Sequence, residues 1–121
     1  MILVDTSVWV DHLRTGHPGL AQALNRGHVL GHPWVVGELA LGSLSRRQAI
    51  LGLLRNLPQA QVATADEVST FIERHRLYGL GIGYVDVQLL ASTRLTPDAG
   101  LGTDDKRLAA AAARLGVLAQ I

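Results

Sequence analysis

Residues 1–13 read MILVDTSVWVDHL. Ile2, Leu3 and Val4 are an apolar, largely β-branched run, the composition of a short buried strand. Asp5 ends that run. Thr6 and Ser7 are helix-start residues, and a second apolar run follows them. A buried strand therefore passes directly into a helix and delivers a carboxylate at the junction.

The rest of the chain keeps the same alternation. The first strand covers 2–5 and its helix runs to about 13. Gly16, Pro18 and Gly19 make a loop before a short helix that ends near Gly27, and HVLG (28–31) reads as a second strand. Pro33 suits the first turn of a helix through 42, and Ser45 opens another that ends before Pro58. QAQVA (59–63) is a weak third strand, and a helix follows over about 65–78. YGLGIG (78–83) is punctuated by glycine and reads as a loop. A helix covers 84–95, TPDAG (96–100) is a turn, and a short strand leads to Thr103. The last helix, 104–115, stops at Gly116 in the C′ manner, and VLAQI (117–121) forms a final strand.

Strands alternating with helices give βαβ crossovers and a parallel sheet covered on both faces. The expected architecture is a single α/β domain over 1–121, with three layers (α/β/α) around a central, mostly parallel sheet of four to five strands. Ligands in such sheets bind outside the carboxyl ends of the strands, which is where Asp5 sits.

Composition narrows the function classes. A chain of 121 residues with 48% hydrophobic and 17% charged residues holds a real core. The absence of cysteine excludes disulfides and Cys-based zinc sites. No basic n-region, signal-type apolar stretch or membrane-length apolar run is present, so a cytoplasmic location with no membrane partner is expected. Net charge is +1, with 11 basic against 10 acidic residues, and this is no nucleic-acid signature. The histidines show no H-x₃-H spacing, so zinc is not expected. His32, near the end of the second strand, is placed to approach the strand-end site.

The acids sort by their helical neighbours. Asp11 has Arg14 three residues on, Glu73 has Arg76 and Asp104 has Arg107, as ordinary solvated pairs would. Glu38 instead has Trp34, Val35, Leu41 and Gly42. Asp86 has Ile82, Gly83, Leu89 and Leu90, and Asp105 has Leu108 and Ala109. An acid on an apolar stripe is rare unless paired or bound to metal. Asp5 and Asp105 have helix capping as an alternative role, whereas Glu38 and Asp86 are read as mid-helix. Four converging carboxylates about 6 Å apart repel by roughly 3 kcal/mol per pair at an effective dielectric near 20. The sum is on the order of 15 kcal/mol, more than a typical domain's stability. Raised pKa values or bound cations must offset it, and all-oxygen donors suit Mg²⁺ or Mn²⁺.

At these residues the sequence resembles the PIN-domain ribonucleases, specifically the VapC-like toxins of bacterial toxin–antitoxin pairs. The resemblance runs through DTSVWVD (5–11), VGELALG (36–42), GIGYVDVQLLAS (81–92) and LGTDDKRLAAAA (101–112). It implies an acidic pocket of Asp5, Glu38, Asp86 and Asp105, with Asp5 and Asp86 as the principal metal ligands. Thr103 matches the family's Thr-x-Asp, which aligns Asp105 with the motif and leaves Asp104 as an outer contributor. Thr6 and Ser7 would orient the metal aspartate or its water. The implied reaction is metal-dependent hydrolysis of RNA, leaving 3′-hydroxyl and 5′-phosphate ends. The implied partners are RNA, a cognate antitoxin and a second copy of the chain.

Between the second and third acids lie Arg46, Arg47, Arg55, Arg74 and Arg76, which either contact RNA phosphates or form a solvated face. Trp9 and Trp34 either stack on bases or belong to the core or a dimer interface. A phosphatase with an aspartyl nucleophile would need a second Asp where Ser7 stands. A receiver domain would need paired acids at the first strand and a differently placed Lys. A catalytically silent PIN-like binding module is the remaining alternative.

Overall fold

The computed structural model describes residues 1–121. The elements in chain order are β1 (Ile2–Val4), α1 (Thr6–Thr15), α2 (Pro18–Asn25), β2 (Val29–Leu30), α3 (Pro33–Ala40), α4 (Arg47–Asn56), α5 (Ala65–His75), α6 (Tyr84–Leu95), β3 (Gly100–Gly102) and α7 (Lys106–Arg114). The architecture is the expected three-layer α/β/α arrangement around a parallel sheet of order β2-β1-β3. β1 is central because it is the most uniformly apolar strand, with Leu3 and Val4 fully buried.

Two expected strands are reduced to single bridges at the sheet's edges. Gly31 pairs with Gln59 on one side and Leu101 with Leu118 on the other, both parallel. The first reduction has a clear cause. The Ala63 amide donates to Gln88 Oε1 and to Ser92 Oγ, both at 3.2 Å, and its carbonyl accepts from Gln88 Nε2 at 3.0 Å. The Gln61 amide donates to Thr96 Oγ1 at 2.9 Å. The backbone of 59–63 is thus satisfied by polar side chains of α6 and by Thr96 beyond its end rather than by a strand ladder.

Local chemistry sets the helix starts. His17 caps α2 and His32 caps α3, each followed by proline at the first helical position. Thr64 and Glu67 form a reciprocal capping box on α5. Ser45 does not cap α4: the helix begins at Arg47, after Arg46 in the left-handed region at φ 54°, with no capping side chain. Arg76 takes the same left-handed conformation and ends α5 at His75, short of the expected 78. No helix is long and apolar enough to cross a membrane.

Candidate active site

Because β1 and β3 are parallel neighbours, Asp5 and Thr103 emerge from the same end of the sheet. The Asp5 amide donates to the Gly102 carbonyl at 3.0 Å, which holds the junction in register. Its carboxylate is buried, at 4% exposure, and both oxygens are engaged. Oδ1 accepts from Ser7 Oγ at 2.7 Å and from the Val8 amide at 3.2 Å, and Oδ2 accepts from Thr103 Oγ1 at 2.5 Å. Asp5 is therefore the N-cap of α1 as well as a strand-end acid. Thr103 Oγ1 also accepts from the Asp105 amide at 3.0 Å, so one hydroxyl joins two of the acids.

Asp105 caps α7, its Oδ1 accepting from the Leu108 amide at 2.9 Å. Asp104 beside it is exposed and faces His17 at 3.5 Å, the one ion pair in the chain. The expected pairs Asp11–Arg14, Glu73–Arg76 and Asp104–Arg107 do not form.

Glu38 and Asp86 depart from their expected settings. Glu38 is exposed, because Trp34 and Leu41 at its helical spacings face solvent rather than core. Its Oε1 accepts from Thr6 Oγ1 at 2.5 Å, which ties α3 to the first turn of α1. Asp86 is not mid-helix. It is the third residue of α6, and its Oδ2 accepts from the Gly83 amide at 3.0 Å, a cap on the helix start. The signal was present as an acid three residues after a glycine N-cap.

The electrostatics bring the four acids into one neighbourhood. Burial pushes the Asp86 carboxyl above the ordinary carboxylate range. The Gly83 N–H opposes that push, and the charges of Asp105, Asp5 and Glu38 add to it. None of the four pairs with Lys or Arg. No three of the chain's His, Asp or Glu side chains close into a ready metal cage. The donor set nevertheless fits a hard cation, because Mg²⁺ is ordinarily held by one or two carboxylates and completes its shell with water. Asp5 and Asp86 could hold it.

The other candidates scatter. Arg46, Arg47, Arg55, Arg74 and Arg76 are all exposed. Arg74 lines a groove with Phe71, His75 and Arg94, at the opposite end of α6 from Asp86. His32 is fully buried and turned away from the acids. Its Nδ1 accepts from the Trp34 amide at 3.0 Å, so Nε2 carries the proton toward Ser92 Oγ at 2.9 Å. Burial lowers its pKa, against a raising contribution from Gln88. Trp9 is core, but Trp34 is 37% exposed and pairs with Tyr84, a residue that sequence reasoning missed.

A strand-end carboxylate braced by hydroxyls thus stands at the carboxyl end of the parallel sheet, and its charge acts on Asp86 together with those of Glu38 and Asp105. The PIN domain family matches residues 2–114, and the chain belongs to that family. It is similar to Ribonuclease VapC32 of Mycobacterium tuberculosis, in both strain CDC 1551 / Oshkosh and strain ATCC 25618 / H37Rv. Identity is 50% over 117 residues, which cover 97% of this chain and 94% of each relative.

Proposed function

We propose that residues 1–121 act as one PIN domain, a ribonuclease that hydrolyses RNA phosphodiester bonds and serves as the toxin of a toxin–antitoxin pair. The observation that carries this reading is Asp86 with the three acids that act on it, none of the four having a basic partner. Such a set calls for a bound cation. The name of the M. tuberculosis relatives supports the substrate and the toxin role.

Asp5 and Asp86 hold Mg²⁺, or Mn²⁺ in its place. When bound, the ion supplies an activated water and stabilises charge on the phosphate. Ser7 and Thr103 fix both oxygens of Asp5 in one orientation, as outer-shell partners do. Thr6 orients Glu38, whose charge, like that of Asp105, acts on Asp86. Asp104 stands outside that set. The exposed arginines Arg46, Arg47, Arg74 and Arg76 supply RNA-backbone contacts away from the acids. The protein works in the cytoplasm as a homodimer, held silent by its cognate antitoxin.

The test is RNA cleavage by the purified protein with Mg²⁺ or Mn²⁺, beside Asp86→Asn prepared identically, on single-stranded RNA, tRNA and rRNA. Cleavage abolished by both EDTA and the substitution, by at least about 100-fold, is the expected result. Equal cleavage by the two proteins would sink the site assignment. No cleavage of any of these RNAs would favour a silent binding module.

A further inference from the structure

The first turns of α3 and α6 place two aromatic rings side by side. Trp34 and Tyr84 have ring centroids 5.9 Å apart with planes tilted by 43°. Both are open to solvent, at 37% and 52% exposure, whereas the only other tryptophan, Trp9, is 2% exposed. A large aromatic pair left in water forgoes a substantial burial gain, so its position asks for a ligand.

That position is next to the acids. Trp34 lies one helical turn before Glu38 on the same face of α3, about 6 Å along its axis. Tyr84 lies two residues before Asp86 on α6, which turns the two side chains to different sides of that helix, so the pair adjoins the pocket through Trp34. The pair therefore bridges the two helices that carry the half-exposed acids of the pocket.

Charge decides what such a surface accepts. The charges that act on Asp86 are all negative, and no Lys or Arg pairs with any of the four acids. A polyanion approaching this pocket gains little from the protein's own charges there. The cation that Asp5 and Asp86 would hold draws in the reacting phosphate itself; for the nucleotides on either side of it, affinity comes from the bases, whose faces are uncharged and stack on aromatic side chains. A duplex hides those faces in its own stack, but a single strand presents them.

We propose, resting on the ribonuclease reading, that Trp34 and Tyr84 form a stacking platform for an unpaired nucleobase adjoining the scissile phosphate. The platform restricts the enzyme to single-stranded or looped RNA and sets where the phosphate lands relative to Asp5 and Asp86. Trp34 and Tyr84 are positioning residues with no part in bond breaking. Stacking tolerates any base, so the platform selects for strandedness more than for sequence.

The experiment uses the full chain carrying Asp86→Asn, so that RNA stays intact, in Mg²⁺. Fluorescence anisotropy follows a labelled short oligoadenylate, free or annealed to oligouridylate. Single-strand binding is expected to exceed duplex binding and to weaken about tenfold in Trp34→Ala and in Tyr84→Ala. Trp34→Phe and Tyr84→Phe keep an aromatic face and should restore it to within about twofold. In the cleaving protein, the same alanine changes should raise KM and also lower kcat, because the scissile phosphate is no longer held in place, and the phenylalanine changes should recover both.

Alanine variants that bind and cleave like the parent would overturn the platform and leave the ribonuclease reading standing. Alanine variants that sediment differently from the parent, without an effect on RNA, would assign the pair to an interface between copies and overturn it as well. Absence of both binding and cleavage in every protein would overturn the two readings together.

Discussion

Asp86 shows how a single residue serves two masters. Its carboxylate caps the start of α6 through the Gly83 amide, yet burial and the charges of Asp105, Asp5 and Glu38 disfavour its ionised form. A carboxyl whose folded-state pKa is raised binds more protons folded than unfolded. Its stabilising contribution is present below the ordinary value of 3.8 and is lost as pH rises through the raised one. At neutral pH in EDTA, Asp86→Asn should therefore melt higher than the parent, since Asn can still accept from Gly83 and removes the repulsion. Added Mg²⁺ or Mn²⁺ should raise the parent's melting temperature and leave the variant nearly unmoved. A variant that melts lower in EDTA would mean that the cap outweighs the repulsion.

The acids were legible in the sequence because none of the four has a basic residue at helical spacing. The apolar face is real for Asp86, which is half-buried, but not for Asp105, which is exposed, nor for Glu38. Its apolar neighbours Trp34 and Leu41 are themselves exposed, Leu41 at 91%. An apolar stripe marks the core only when something covers it, and a single sequence does not say what does. Trp34 was singled out, but its partner Tyr84 lies fifty residues away and no local pattern links them.

Element boundaries followed the capping signals where those signals were chemical. Proline at the start of α3 falls where the sequence put it, and α5 begins at the expected residue, on a Thr64–Glu67 capping box. Pro18 and Gly19, expected in a loop, instead open α2 behind the His17 cap. The ends that slipped are conformational. Arg46 and Arg76 adopt a left-handed backbone that sequence assigns to glycine or asparagine. The weak strand over 59–63 slipped for a different reason: its hydrogen-bond partners, Gln88 and Ser92, sit on a helix thirty residues downstream.

The edge bridge at Gly31 depends on having no side chain there. A Cβ on Gly31 would lie 2.5 Å from Gln59 Nε2 and 3.0 Å from the Leu54 carbonyl oxygen. The amide side chain can swing away, but the backbone carbonyl can yield only a little. Gly31→Ala should cost about 1–3 kcal/mol by overpacking, read as a lower denaturation midpoint in urea. A neutral result would show that the end of α4 gives way at no cost.

Across the molecule, a buried polar network connects three elements. His32 at the head of α3 donates to Ser92, Ser92 donates to Gln88 at 2.6 Å, and both receive the Ala63 amide. His32 is held neutral by burial, so the unfolded chain binds more protons than the folded one below the ordinary imidazole value near 6.5. Stability should hold above that pH and fall as pH drops below it. His32→Asn should remove most of that dependence while costing about 1–3 kcal/mol at pH 8 through the broken network. His75, shifted down by burial and then by Arg94, Arg74 and Arg114, contributes with the same sign. Urea melts at a series of pH values check the slope, and an unchanged slope in the variant would place it elsewhere.

The bond from Thr103 to Asp5 spans 98 positions of chain. During synthesis the Asp5 carboxylate leaves the ribosome long before β3 and the hydroxyl that orients it. A nascent chain stopped before residue 100 lacks one neighbour of its central strand and the brace on Asp5. Such fragments should be inert whatever their length, so a premature stop disarms the protein even when most of it has been translated. The order of the site around Asp5 is therefore withheld until β3 and Thr103 have been made.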